Sequence, residues 1–252
     1  MDIEPRAGAE AVTAQPARPH AGLIAPAWHL LLIVALLLAV SFGGFQSQHR
    51  LVQHGRVMLY ALTLVWQYFM VAAVYVGVRR NKVSMRELIG GRWENVEDFL
   101  VDVAIAAGYW ISAAVVLGIL ANAMQLQKNL KADEAIKTIQ MIAPSNGLEL
   151  ILWLALSMTA GLCEEIVFRG YLQKQFTAVT RSTAAAVIAQ ALLFAGGHGY
   201  EGAQRMALIG VYGAMFGVLA AARRSLRPGM MAHAWHDAVS GIFLGFASKF
   251  AR

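Results

Sequence analysis

The sequence predicts an all-α fold, a polytopic bundle of about seven transmembrane helices. Of the 252 residues, 58% are hydrophobic and only 14% are charged, and the charges concentrate in short segments between long apolar runs. A soluble domain of this length usually carries about a quarter charged residues. Because a helix needs ~20 apolar residues to cross a bilayer, each long run is a candidate crossing.

Seven apolar runs fit this description. They extend over residues 28–45, 57–78, 99–124, 148 into the 170s, 183–197, 206–222 and 230–246. The polar stretch between the third and fourth runs is expected to include a short surface helix. We therefore predict three regions: a disordered cytoplasmic tail rich in Ala and Pro (1–25), a first group of transmembrane helices with the polar loop (26–146), and a second helical group (147–252) that holds the chemically active residues.

Basic residues predict the orientation in the membrane. The densest basic loop contains Arg79, Arg80, Lys82, Arg86 and Arg92. Loops rich in Lys and Arg stay on the cytoplasmic side, so this loop and the N-terminus are expected to be cytoplasmic. A multi-pass protein of the plasma (inner) membrane is predicted. Because the basic residues flank apolar spans, the net charge of +6 points to the lipid bilayer as a partner and away from nucleic acid.

The fourth span contains two adjacent glutamates, Glu164 and Glu165, with Arg169 one turn beyond. An ionisable group inside a membrane costs about 2.5 to 3.5 kcal/mol, so each is a functional candidate. Glu165 and Arg169 stand in an i, i+4 relation and can pair. Glu164 points about 100° away around the helix, lacks that partner and is available as a general base. A helix end at the cytoplasmic surface explains the same cluster equally simply.

The fifth and last spans each add a polar pair at helical spacing. Phe194 and His198 share one face of the fifth span, and His233 and Asp237 share one face of the last. An interfacial histidine and a polar helix N-terminus are the simpler explanations of each pair taken alone. His236 is the second choice for the role of His233.

Depth along the helices relates these groups to one another. At 1.5 Å per residue, Glu164 lies about 18 Å and His198 about 22 Å from the cytoplasmic ends of their helices. The two side chains are therefore expected to face each other inside the bundle. His233 would lie only about 6 Å beyond Met230, which fits only if the preceding turn is recessed into a cavity.

Read together, the motifs E-E-x-x-x-R, F-x-x-x-H and H-x-x-x-D resemble the CAAX protease and bacteriocin-processing enzyme (CPBP) family, which includes the type II CAAX prenyl endopeptidases. The motifs lie on three of the last four helices, within residues 148–246. The resemblance implies a glutamate-dependent intramembrane endopeptidase without a cofactor. Its implied substrate is a membrane-associated or lipidated protein or peptide, and no residue chooses between prenylated C-terminal peptides, bacteriocin leader peptides and other membrane-anchored proteins.

The resemblance also implies roles for individual residues. Glu164 and His198 would activate a water for attack on a peptide carbonyl, while Glu165 and Arg169 would hold the geometry.

His233 and Asp237 would stabilise the oxyanion. Several family members have Asn at the position of Asp237, and an amide donates a hydrogen bond whereas an ionised carboxylate cannot. Asp237 is therefore either protonated in its apolar site, or it orients His233.

Two alternatives remain open at this point. Histidine and carboxylate side chains suit zinc, and the same residues could form a metalloprotease, although the sequence has no H-E-x-x-H pair. Activity that survives exhaustive chelation would exclude zinc. A transporter or membrane scaffold could also retain buried ionisable groups. Their convergence on one half of the chain favours a single catalytic site.

Overall fold

The computed structural model describes residues 22–53, 55–124 and 142–250, and these residues form helices joined by short connections, without a β-strand. The predicted all-α bundle is confirmed. In chain order the elements are α1 (Ala27–Gln53), α2 (Arg56–Arg80), α3 (Met85–Ile89), α4 (Val96–Ala123), α5 (Gly147–Glu164), a π-helical segment (Glu165–Leu172), α6 (Gln173–Thr180), α7 (Thr183–Gly197), a short 3₁₀ turn (Gly199–Glu201), α8 (Ala203–Arg223) and α9 (Arg227–Phe250). Most of the predicted tail and of the polar loop lies outside the described residues.

Several helices have the length and composition of membrane spans. Within the described residues, α2, α4, α8 and the continuous rod Gly147–Thr180 are long and apolar enough to cross a bilayer. Two shorter apolar helices, Ala27–Gly43 and Thr183–Gly196, accompany them. Large apolar side chains such as Phe42, which is 73% exposed, cover the outside of the bundle, as expected of a surface that contacts lipid. The protein is an integral membrane protein, and the number of seven crossings stays a prediction.

Hydrogen bonds connect the chain before α1 to the ends of other helices. The Gln175 side chain accepts a hydrogen bond from the Ile24 N–H at 2.9 Å and donates one to the Ala25 carbonyl at 2.9 Å. Asn81 donates to the Leu23 carbonyl at 2.8 Å. The last residues of the predicted disordered tail are therefore ordered, because buried Ile24 and Ala25 find polar partners for their backbone groups.

A buried carboxylate connects α4 to the junction of α8 and α9. Asp102 is 1% exposed and lies 3.3 Å from Arg223 and 3.1 Å from Arg227. The indole N–H of Trp93 donates to the same carboxylate at 2.9 Å. Lys174 donates to the carbonyl of Leu88 at the end of α3, at 2.8 Å. These contacts bring together the basic segments 79–92, 174–181 and 223–227, and we call this side of the bundle the basic end.

The opposite end of the bundle has its own contacts. Arg56, at the start of α2, donates to the Ser145 hydroxyl at 2.9 Å and pairs with Glu149 at 3.4 Å, just before and within the first turn of α5. The Tyr60 hydroxyl donates to the carbonyl of Ile142. The helices therefore alternate in direction between the basic end and this opposite end.

Helices α5 and α9 approach each other closely. A Cβ atom on Gly161 would lie 2.5 Å from the Met230 carbonyl oxygen and 2.8 Å from the Ala234 nitrogen. The indole N–H of Trp153 on α5 donates to the Asp237 carbonyl on α9 at 2.9 Å. Small residues at a crossing let helix backbones come near each other. This crossing brings the glutamates at the end of α5 next to the histidine of α9.

Candidate active site

The Glu165–Arg169 pair lies in the middle of the bundle. Arg169 donates to the Glu165 carboxylate at 2.9 Å, and both side chains are at most 1% exposed. The second guanidinium nitrogen donates to the Gly213 carbonyl of α8 at 3.0 Å. The guanidinium carbon lies 4.5 Å from the ring centroid of Phe194 and 5.0 Å from that of Phe216. Charge, hydrogen bonds and aromatic faces therefore fix Arg169 in one position.

The backbone around this pair differs from the expected regular α-helix. Residues Glu165–Leu172 form a π-helical segment between α5 and α6. Gly170 lies within it, and a Cβ there would lie 3.0 Å from the Leu226 side chain and 3.2 Å from that of Leu88. π-Helical turns are rare and occur frequently at functional sites. The π-helical segment, in which the helix is wider than a regular α-helix, begins within the E-E-x-x-x-R motif.

His233 is surrounded by three carboxylates. Its Nδ1 lies 3.0 Å from the Glu165 carboxylate, and its Nε2 lies 3.6 Å from Asp237 and 3.8 Å from Glu164. The ring is 3% exposed and stacks on Phe216 with centroids 5.2 Å apart. An acid at each ring nitrogen is the arrangement that a doubly protonated imidazolium requires. The structure thus links the first and third motifs through one histidine.

The depth of His233 is explained by the recessed start of α9. Leu226, immediately before α9, is 3% exposed. A Cβ on Gly229 would lie 3.3 Å from the Glu165 carboxylate. The first turn of α9 is therefore inside the bundle, and its N-terminal dipole lies beside an anion. This turn is recessed by close packing, and the cavity predicted around it stays a prediction.

Glu164 and His198, which are expected to face each other, line the same cavity. The cavity has a volume of about 260 Å³ and lies between α1, α2, the α5 rod and α7. His198 donates from Nδ1 to the Phe194 carbonyl at 2.9 Å, because a carbonyl oxygen can only accept. In the neutral form of the ring, this bond leaves the lone pair on Nε2. A cavity with one carboxylate and one imidazole lone pair has room and partners for water.

Two buried amides that the sequence analysis missed support this site. Gln190 of α7 donates to the Gly213 carbonyl at 3.0 Å, and Gln173 of α6 donates to the Gly217 carbonyl at 2.9 Å. Both amides are at most 5% exposed. A glutamine inside an apolar span is costly in the same way as an ionisable residue. That pattern in the sequence is enough to mark Gln173 and Gln190 as candidates.

Two further side chains, His236 and Cys163, lie near this site. The His236 ring lies 4.8 Å from that of Tyr212, whereas the contacts with carboxylates belong to His233, which agrees with the preference for His233. Cys163 is 2% exposed and lines the cavity beside Glu164. Over the described part of the chain, no group of three or more His, Cys, Asp and Glu side chains is arranged to hold a metal ion.

Ionisable side chains buried between apolar helices, beside a cavity, are typical of an enzyme that acts inside the membrane. Comparison with known families identifies this class more closely. Residues 146–239 match the family described as type II CAAX prenyl endopeptidase Rce1-like, and all three motifs lie in the matched range. The resemblance predicted from the motifs is thereby confirmed, and it supports a CAAX-type intramembrane protease in general. No curated protein and no solved structure matches the chain.

Proposed function

We propose that this protein is an intramembrane endopeptidase that hydrolyses a peptide bond of a membrane-associated protein or peptide with water activated by Glu164 and His198. One observation carries the proposal. Of two adjacent glutamates, Glu165 is buried against Arg169, whereas Glu164 lines the cavity together with His198. Of the two, only Glu164 can therefore contact a water in the cavity and act as its general base.

The reaction can be written with these residues alone. A water held between Glu164 and the Nε2 lone pair of His198 attacks the carbonyl carbon, and Glu164 takes one of its protons. The carbonyl oxygen becomes an oxyanion, and the proposed donors to it are His233, whose Nε2 lies 3.8 Å from Glu164, and Asp237, although neither side chain lines the cavity. Collapse of this intermediate breaks the C–N bond, and the proton on Glu164 moves to the leaving nitrogen. Glu165 and Arg169 are positioning residues. They contact each other, His233 and the Gly213 carbonyl, and neither side chain lines the cavity.

We assign a shared proton of the site to Asp237, because Glu164 must be ionised to act as the base and Glu165 is paired with Arg169. Three carboxylates surround His233, while only Arg169 and a protonated His233 oppose them within this cluster. One uncompensated negative charge beside the buried His233 ring is unfavourable. A proton retained by Asp237 removes it and turns that side chain into a hydrogen-bond donor, which an oxyanion requires.

Substitution of Asp237 tests this assignment. Asp237→Asn keeps a donor of the same shape and is expected to retain cleavage within about 10-fold, whereas Asp237→Ala removes the donor and is expected to lose about 10²–10³-fold in kcat. The measurement is cleavage rate with the two variants purified in parallel. Equal loss in both variants would indicate that Asp237 works as an ionised group that orients His233.

The proposed activity is tested by comparing protein termini in membranes that contain the wild-type protein or Glu164→Gln. We expect at least one internal terminus, within or beside an apolar anchor segment, that appears only with the wild-type protein. The exposed Glu94→Gln variant is the matched control and should give the wild-type pattern. Identical termini with wild type and Glu164→Gln, at equal protein levels, would refute the proposed function.

A further inference from the structure

The cavity lies toward the opposite end of the bundle, away from the basic end. It is lined by the second half of α1 at Ser41, by the first half of α2 from Leu59 through Thr63, and by the turn after α7 at His198 and Tyr200. The turn after α7 and the start of α2 both belong to the opposite end. Access to Glu164 is therefore expected from that end.

Between the glutamates and the basic end, the bundle is closed by packed side chains. Tyr171, Leu172 and Gln175 follow Arg169 along the rod, and each is 0% exposed. The Tyr171 hydroxyl and the His29 ring form a hydrogen bond of 2.6 Å, which connects the rod to α1. A chain approaching from the basic end would have to separate these packed side chains before reaching Glu164.

The distribution of basic residues relates the two ends to the two sides of the membrane. Within the described residues, the basic end carries Arg79, Arg80, Lys82, Arg86, Arg92, Lys174, Arg181, Arg223, Arg224 and Arg227, whereas Arg50, Arg56, Arg205 and Lys249 lie at the opposite end. The sequence between α4 and α5 also contains Lys128, Lys131 and Lys137, which are outside the described residues. The excess of Lys and Arg still lies at the basic end, and such an excess marks the cytoplasmic side.

From these observations we infer that the catalytic cavity opens to the non-cytoplasmic side of the membrane. Its substrates are then membrane-anchored proteins whose cleavable segment lies on that side, next to the anchor. This assignment of a substrate class rests on the proposed endopeptidase function. A peptide held only at the cytoplasmic surface would meet the closed basic end.

Cysteine labelling tests the direction of the cavity independently of catalysis. In a Cys163→Ala background, Thr63→Cys places a thiol in the cavity, and Arg92→Cys places one at the basic end. Leu62→Cys is the matched control, because Leu62 is 44% exposed on the outside of the same helix. A membrane-impermeant maleimide is added to sealed vesicles of either orientation. Ser41→Cys provides a second cavity position should Thr63→Cys fail to accumulate.

We expect the cavity thiol to react in right-side-out vesicles, the Arg92→Cys thiol in inside-out vesicles, and Leu62→Cys in neither. A cavity thiol that reacts only in inside-out vesicles would overturn the inference. So would cavity thiols at both positions that react in neither orientation, because the cavity would then be closed to water from both sides.

The termini that depend on Glu164 provide the second readout. Each is assigned to one side of the membrane from the topology of the protein that carries it. Termini on the non-cytoplasmic side support the inference, and termini on the cytoplasmic side overturn it while leaving the protease function intact. Absence of any such terminus would refute the protease function, whereas the labelling pattern would still report the side on which the cavity opens.

Discussion

Arg169→Ala is expected to lower the free energy of unfolding by about 3–5 kcal/mol, the usual loss when one partner of a buried ion pair is removed. The guanidinium is fully buried, and it contacts Glu165, the Gly213 carbonyl and two aromatic faces. Its removal leaves the Glu165 charge opposed by His233 alone. Denaturant titration of the purified protein in detergent micelles, followed by a spectroscopic signal of helix content, measures the change.

Two further variants separate charge from packing. Arg169→Lys keeps the charge but has a compact ammonium in place of the planar fork, so it should lose part of the same free energy. Arg86→Ala, at an exposed site, is expected to change stability by at most about 0.5 kcal/mol. If Arg169→Ala is as stable as Arg86→Ala, the pair does not hold the centre of the bundle and Glu165 must be neutral in the folded protein.

Hydrophobic pattern alone predicted the helices and most of their bounds. The runs 57–78 and 206–222 lie inside α2 and α8, because a bilayer or a helical neighbour demands the same apolar composition along the whole length. The end of the tail was misplaced. Ile24 is buried by contacts with a glutamine about 150 positions later in the chain, and no local pattern reports such a partner.

The sequence was enough to predict the residues of the site, but not the contacts between residues on different helices. Spacing of four predicted the Glu165–Arg169 contact, because that contact is local to one helix. It could not predict that His233 lies against Glu164 and Glu165, since that depends on the recessed start of α9 and on the close packing at Gly161. The π-helical segment could not be predicted either, because the composition of a single sequence does not show which hydrogen bonds a helix forms.

The adjacent glutamates form a natural matched pair for kinetics. Glu164→Gln is expected to lower kcat by about 10²–10⁴-fold, the range contributed by a general base, because an amide cannot take a proton from water. Its side chain is 25% exposed, so stability should change by no more than about 1 kcal/mol. The substrate for these measurements is a peptide with the junction identified from the comparison of termini.

Glu165→Gln is expected to behave in the opposite way, because its carboxylate contacts Arg169 and His233 at 2.9 and 3.0 Å and does not line the cavity. It should lose about 3 kcal/mol or more of stability, since it leaves a buried guanidinium unpaired. At a temperature where the variant is folded, its kcat should fall less than that of Glu164→Gln. If Glu165→Gln is the stable and inactive variant instead, the base is Glu165, and His233 takes the role proposed here for His198.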